Sequence, residues 1–239
     1  MNNYISFSNI PDNIRKIKID IGLSYNCPHS HNWIENDKNL YVFGFEPNSE
    51  CVRTIKEGNI KKKHDGHGEP ISDINLKNNF CLIPVALGNP KLEEGITEVN
   101  FYQMKNYCGT SSIYAPLDNN LGPIDTIVKT RLYSLKNFFD IFDWDRFPYI
   151  EYIKIDAQGS DYNILLGAGE YLKERVVYIT AEPEHRQYDG ANNNTTYNMR
   201  VYLESQGFIQ VYDRDTVDPT FLNKKYERVK DDIYIFQNG

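Results

Sequence analysis

Lys16-Ile-Lys-Ile-Asp-Ile-Gly22, continued through Ser24 and Asn26 to Phe43-Gly-Phe-Glu46-Pro47, decides the fold. Ile17, Ile19 and Ile21 are β-branched and set among polar residues, which predicts a short buried strand. Asp20 and Gly22 then stand at its C-terminal end, where an open α/β sheet places its ligands. Glycine there lets the backbone turn sharply and lets a ligand come close. Further on, Tyr41-Val-Phe-Gly-Phe45 predicts a second strand with Glu46 at its end. In nucleotide-binding α/β folds an acidic residue in that place accepts hydrogen bonds from the ribose hydroxyls. The stretch reads as an adenosine-binding half-site. It lacks the Gly-x-Gly-x-x-Gly turn, since Gly22-Leu-Ser-Tyr-Asn-Cys27 stands instead, and this argues against a nicotinamide-dependent oxidoreductase.

The remaining chain continues the alternation. Residues 47–60 are expected to be helical (Val52, Ile55), and Lys61 to Pro70 a polar, glycine-rich surface loop. Phe80 to Gly88 is expected as a third strand, Ile96 to Met104 as an added one, and Tyr107 to Asp125 as loop. Leu135, Phe138, Phe139 and Phe142 fall on one helical face, with Ser134 placed to cap it. Tyr149 to Asp156 is the fourth strand, Ser160 to Leu172 a helix, and Val176 to Thr180 the fifth strand. Thr196 to Gln206 is a helix closed by Gly207, followed by late strands at Phe208–Tyr212 and Ile233–Phe236. The pattern predicts one α/β domain over residues 1–239. Its sheet is seven-stranded and mostly parallel, has helices on both faces and ends in an antiparallel last strand, the Rossmann-like class I methyltransferase layout.

The composition excludes several classes. The 239 residues carry a formal charge of −7 with pI near 5.3, against the basic face that nucleic acid requires. Four cysteines (Cys27, Cys51, Cys81, Cys108) without a Cys-x-x-Cys indicate neither a zinc knuckle nor a disulfide framework. The start, Met1-Asn-Asn-Tyr-Ile-Ser6, has no signal-peptide pattern, and no apolar run approaches the roughly 20 residues of a membrane span. The expectation is a cytoplasmic protein with no membrane insertion. Its oligomeric state stays open.

Four blocks in order carry a family resemblance: Ile19-Asp-Ile-Gly-Leu-Ser24, Val42-Phe-Gly-Phe-Glu-Pro47, Val85-Ala-Leu-Gly88 and Tyr152-Ile-Lys-Ile-Asp-Ala-Gln-Gly159. Over nearly the whole chain the sequence resembles the FkbM family of S-adenosylmethionine-dependent methyltransferases. The resemblance implies S-adenosyl-L-methionine as cofactor and O-methylation of a sugar, glycan or other small-molecule hydroxyl. The sequence departs from the family pattern in three places. The second glycine of the first loop is absent, and Gln158 and Asp161 stand where the family often has Glu.

Candidate site residues follow. Asp20, Gly22, Ser24 and Asn26 are assigned to the methionine part of the cofactor and its loop, Glu46 to the ribose, and Ala86 and Leu87 to the adenine. Ser111 or Ser112 would cap polar edges. The competing reading makes Asp20 and Glu46 caps of the next helix. Asp156 and Glu182 end the fourth and fifth strands at the same edge. Together they could deprotonate a hydroxyl or hold Mg²⁺. Asp156 could equally pair with Lys154. His185 is a further candidate base, while His29 and His31 could line the pocket. His64-Asp-Gly-His67 is weak as a metal motif. Two other functions remain possible at this stage, an N-methyltransferase and a non-catalytic cofactor-binding module.

Overall fold

The computed structural model describes residues 1, 4–57, 78–90, 97–105, 108–117, 121–212 and 218–227. The 61–70 loop, with its histidine pair, and the expected strand at 233–236 lie outside the described residues.

Strand β1 (Lys16–Ile21) pairs in parallel with β2 (Leu40–Phe45) on one side and with β7 (Ile150–Ile155) on the other. Beyond them lie β3 (Phe80–Ile83), β8 (Val176–Ala181), β9 (Phe208–Tyr212) and β10 (Thr220–Asn223). Among the described residues the order of the seven-stranded sheet is β3-β2-β1-β7-β8-β10-β9, with β10 antiparallel to both its neighbours. This is the Rossmann-like methyltransferase fold. Strand order reverses between β1 and β7, which opens a crevice at their C-terminal ends.

Alternation along the strands feeds two main cores and a small third cluster of Val177, Tyr178 and Leu222. Tyr41, Phe43 and Phe45 join Ile17, Ile19 and Ile21 in the larger one, while Leu40 and Val42 face the smaller. The smaller core is covered by Trp33 and Ile34 of α1 (Pro28–Asn36) and Ile55 of α2 (Ser49–Glu57). The larger is closed by α3 (Leu135–Phe139), α4 (Asp161–Gly167), Leu172 of α5 (Tyr171–Arg175) and α6 (Thr196–Ser205). Phe138 sits 5.0 Å from Phe43 and 5.6 Å from Phe45, ring centre to ring centre, edge to face. Such fully buried rings each contribute roughly 1.5–3 kcal/mol.

Three expectations are corrected. The strand expected over 80–88 breaks at Pro84. Its second half, β4 (Ala86–Gly88), leaves the main sheet for a three-stranded one with β5 (Thr97–Met104) and β6 (Ile124–Ser134). Proline has no N–H for a ladder, so the break falls where β3 is already an edge. The expected loop up to 125 ends at Ile124, where β6 begins. Residues 124–131 of β6 are exposed or half-buried on both faces, so no clean alternation marked the strand. The single helix expected over 160–172 is two, α4 and α5, parted at Gly169 with φ +60°.

Candidate active site at the strand ends

The parallel ladder runs one residue past each strand and sets four residues in a row. Glu46 N–H donates to Ile83 O (3.1 Å) and Gly22 N–H to Phe45 O (3.0 Å). Asp156 N–H donates to Ile21 O (3.0 Å) and Glu182 N–H to Ile155 O (3.2 Å). Three carboxylates and one glycine thus share the C-terminal edge of the sheet. They open into a cavity of about 410 Å³.

Gly22 is required by its neighbour. Its φ is +82°, and a Cβ there would lie 1.8 Å from the carbonyl oxygen of Asp156. The first loop can therefore cross directly over the end of β7. Glu46, 6% exposed, holds that loop. Its Oε2 accepts from the N–H groups of Leu23 (3.1 Å) and Ser24 (3.0 Å), and its Oε1 from Asn48 N–H (2.8 Å). Burial pushes its carboxyl up to about 8 against these three donors. Asp20 Oδ2 accepts from the N–H (3.1 Å) and Oγ–H (2.6 Å) of Ser30 in the first turn of α1. Asp20 Oδ1 is buried and has no hydrogen-bond partner among the described residues.

At the other end of the row Asp156 is surrounded by donors. Lys154 Nζ reaches Oδ2 at 3.0 Å and Gln158 Nε2 reaches Oδ1 at 2.7 Å, while Glu182 donates a further hydrogen bond. Burial alone would raise the Asp156 carboxyl, but the Lys154 ammonium and these hydrogen bonds hold it below its ordinary value. Burial would likewise lower Lys154, and the charges of Asp156 and Asp20, with the Asp156 hydrogen bond, hold it above the usual lysine range. Glu182 is pushed well up by burial, then by the charge of Asp156 and their shared hydrogen bond. Asp156 is the ionised member of this pair and Glu182 carries the proton. Behind them the fully buried Asp161 accepts from Glu182 N–H (3.1 Å) and Ala157 N–H (3.3 Å), and fixes both strand ends.

A loop-to-loop seam closes one side. Leu117 N–H donates to Gln187 O and Asp189 N–H to Ala115 O, both at 2.8 Å. The Tyr188 hydroxyl, beneath the seam, lies 2.6 Å from Gln158 Oε1 and 2.9 Å from Thr110 O. Gln158 holds this bridge with φ +51°, a conformation rarely adopted outside glycine and a mark of functional sites.

The fold and this row agree with a match to the family model described as Methyltransferase FkbM domain, over residues 10–209. The chain belongs to the FkbM methyltransferase family. A solved structure of TrmK from M. capricolum, in complex with the natural cofactor product S-adenosyl-homocysteine, is similar at 10% identity. The alignment covers 92% of this chain and 70% of that one, with a TM-score of 0.41. A comparison with curated proteins returned no match.

In this FkbM chain Asp20, Gly22, Ser24, Glu46, Ala86, Leu87, Ser111, Asp156 and Glu182 all line the cavity, and so does His29. Asn26, Ser112 and His185 are not among the lining residues. Asn26 is fully buried, Ser112 Oγ–H donates to Gln158 O at 2.7 Å, and His185 Nε2 accepts from Arg186 Nε at 3.2 Å. The Asp156–Glu182 pair does not suit the expected Mg²⁺. The Lys154 ammonium already lies 3.0 Å from Asp156 Oδ2, and among the described residues no group of three or more His, Cys, Asp or Glu could hold a metal ion. Sequence reasoning missed Glu184. It lines the cavity with its Oε2 unpartnered among the described residues, and burial followed by the Asp156 charge raises it to about 7. Its only signal was its place two residues after Glu182.

Proposed function

We propose that this protein transfers the methyl group of S-adenosylmethionine to a hydroxyl of a sugar or glycan. The observation that carries the reading is the row Glu46–Gly22–Asp156–Glu182 on one cavity edge, with hydrogen-bonding capacity left for a ligand at both ends. The residues suit the cofactor. Glu46, which already accepts three N–H bonds, keeps one position on Oε1 for a ribose hydroxyl, and the unpartnered Asp20 Oδ1 suits the ammonium of the methionine part. Ala86, Leu87 and Val85 offer an apolar wall to the adenine. When bound, the cofactor supplies an electrophilic methyl on a positively charged sulfur.

The chain's part is alignment and proton handling. Asp156, held ionised by Lys154 and Gln158, accepts the hydrogen bond of the acceptor hydroxyl and aims its oxygen. As the new C–O bond forms the hydroxyl becomes strongly acidic, and its proton passes to the Asp156–Glu182 pair. That pair carries one proton and one negative charge, so it has room for a second proton. Lys154 stays charged throughout and keeps Asp156 the acceptor in the resting site.

Methyl transfer from labelled S-adenosylmethionine to simple methyl glycosides and to matched amino sugars tests the reading. The expected result is a labelled methyl ether on the glycosides, reduced roughly 10²–10⁴-fold by Asp156→Asn. Label confined to amines would move the reaction to nitrogen. Tight S-adenosylhomocysteine binding without label on any acceptor would favour a binding module.

A further inference from the structure

Beneath the loop seam runs a chain of hydrogen bonds that the reaction above uses only at one end. Tyr188 is fully buried and is not among the cavity-lining residues, whereas Asp156, Gln158 and Thr110 are. Its hydroxyl lies 2.6 Å from Gln158 Oε1 and 2.9 Å from Thr110 O. The other end of the same amide, Gln158 Nε2, donates to Asp156 Oδ1 at 2.7 Å. Hydroxyl, amide and carboxylate thus lead from the buried side of the seam to the cavity.

The direction of the chain is fixed by chemistry. An ionised carboxylate can only accept, so the amide turns its NH₂ to Asp156 and its oxygen to Tyr188. The Tyr188 hydroxyl must then donate, and the shorter of its two contacts is with that oxygen. A glutamate in place of Gln158 could make both bonds only while protonated, whereas the amide carries its donor and acceptor at every pH.

The backbone is bent to suit. Gln158 stands at φ +51° and Gly159 at φ +93°, and a Cβ on Gly159 would lie 2.9 Å from Ala191 Cβ and 3.3 Å from Tyr188 Cδ2. The strained turn therefore brings the end of β7 close against the tyrosine. Ser112 Oγ–H holds Gln158 O at 2.7 Å and Ser112 Oγ accepts from Tyr114 N–H at 3.0 Å. Tyr188 is fixed from its own side by a β-bridge to Pro116 between the two seam bonds.

We propose that Tyr188 is a positioning residue for the methyl transfer, fixing through the Gln158 amide the plane of the Asp156 carboxylate that receives the acceptor hydroxyl. The proposal rests on the hydroxyl-transfer reading above. Lys154 holds Asp156 Oδ2 and Gln158 holds Oδ1, and together these contacts set the rotation of the carboxylate. Loss of the Tyr188 hydroxyl takes that donor from Gln158 Oε1, and an amide released at one end holds the other less firmly. Alignment matters steeply, a misplacement of about 1 Å costing about 10²-fold in rate. Because Tyr188 lies outside the cavity lining, its effect falls on kcat and leaves binding of both ligands alone.

The test follows methyl transfer from labelled S-adenosylmethionine to a methyl glycoside in wild type, Tyr188→Phe, Asp156→Asn and the double variant. Tyr188→Phe keeps the buried ring and removes only the hydroxyl. Its kcat should fall about 10- to 10²-fold, with acceptor KM and S-adenosylhomocysteine affinity unchanged. Added to Asp156→Asn it should cost nothing further, since it acts through that carboxylate. Gln158→Met, which breaks the chain at its middle, is the second variant should Tyr188→Phe fail to fold, and it should lower kcat at least as far. An undiminished kcat, a raised KM in Tyr188→Phe, or the same loss again in the Asp156→Asn background would overturn the proposal. Nuclear magnetic resonance of the Gln158 side-chain amide gives a readout independent of turnover. Its protons should exchange slowly with water in the wild type and faster in Tyr188→Phe, and equal exchange in the two would overturn the bridge. If the wild type labelled no acceptor, the hydroxyl-transfer reading would fail, while amide exchange would still judge the Tyr188–Gln158–Asp156 chain.

Discussion

Gly22 shows how much of the site hangs on one missing methyl group. Its φ of +82° and the 1.8 Å approach that a Cβ would make to Asp156 O act together. The clash is with backbone, which no side-chain rotation relieves. Gly22→Ala should cost about 3 kcal/mol or more in urea unfolding and should weaken S-adenosylhomocysteine binding as the loop lifts off β7. A loss below about 0.5 kcal/mol, the scale of an ordinary surface change, would show that the loop relaxes freely. The neighbouring carboxylates follow a related logic. Asp20 proves to be both a cap of α1, through Ser30, and a group with an oxygen left over, so the two readings of that residue are not exclusive. Glu46 likewise ties down the loop on which its proposed ligand would lie.

At the scale of the element, caps and breaks decide where helices begin and end. Ser134 and Asn137 form a reciprocal capping box at α3, in which Ser134 Oγ accepts from Asn137 N–H and Asn137 Oδ1 accepts from Ser134 N–H at 2.9 Å. Ser134→Ala should cost about 1 kcal/mol in unfolding free energy. No measurable change would mean that packing of Phe138 and Phe139 alone places α3. Such local features were legible in the sequence, because a cap and an apolar stripe lie within one turn of each other. β6 was not legible, since its placement between β4 and β5 is set by pairing with distant segments and its faces lack a polarity contrast. His185, read as a candidate base, is not among the cavity-lining residues for a similar reason. Glu182 and Glu184 line the cavity, and nothing in the order Glu182-Pro-Glu-His185 told which side chains would do so.

Across the whole molecule, burial of acids sets the pH response. Glu46 and Asp161 are raised to about 8 and Glu184 to about 7, from ordinary values of 4.5, 3.8 and 4.5. The folded chain therefore holds protons that the unfolded chain releases. The associated stability is complete below the unfolded values and is lost as pH climbs through about 7 to 8. Asp156, held low, contributes above its ordinary 3.8, and Lys154, held high, contributes below its ordinary 10.5, so neither changes sign in between. Melting temperature should fall steadily from about pH 5 to about pH 9. A melting temperature that rises toward the alkaline side would contradict the protonated state assigned to these acids.

Strands β1, β2, β7 and β8 and the acidic residues at or just past their ends could be read from short blocks, because strand, turn and end residue are contiguous, whereas the order of the strands is set by pairing between distant segments and could not. The seam between residues 115–117 and 187–189 could not, because it joins loops some seventy residues apart in sequence. The most direct test of the central claim is calorimetric titration of the protein with S-adenosylhomocysteine, alongside Glu46→Ala and Glu46→Gln. Micromolar binding, on the order of −8 kcal/mol, that is lost in both variants while each still melts cooperatively is the predicted result. A folded wild type that gives no heat at any temperature, or variants that bind as tightly as the wild type, would contradict it.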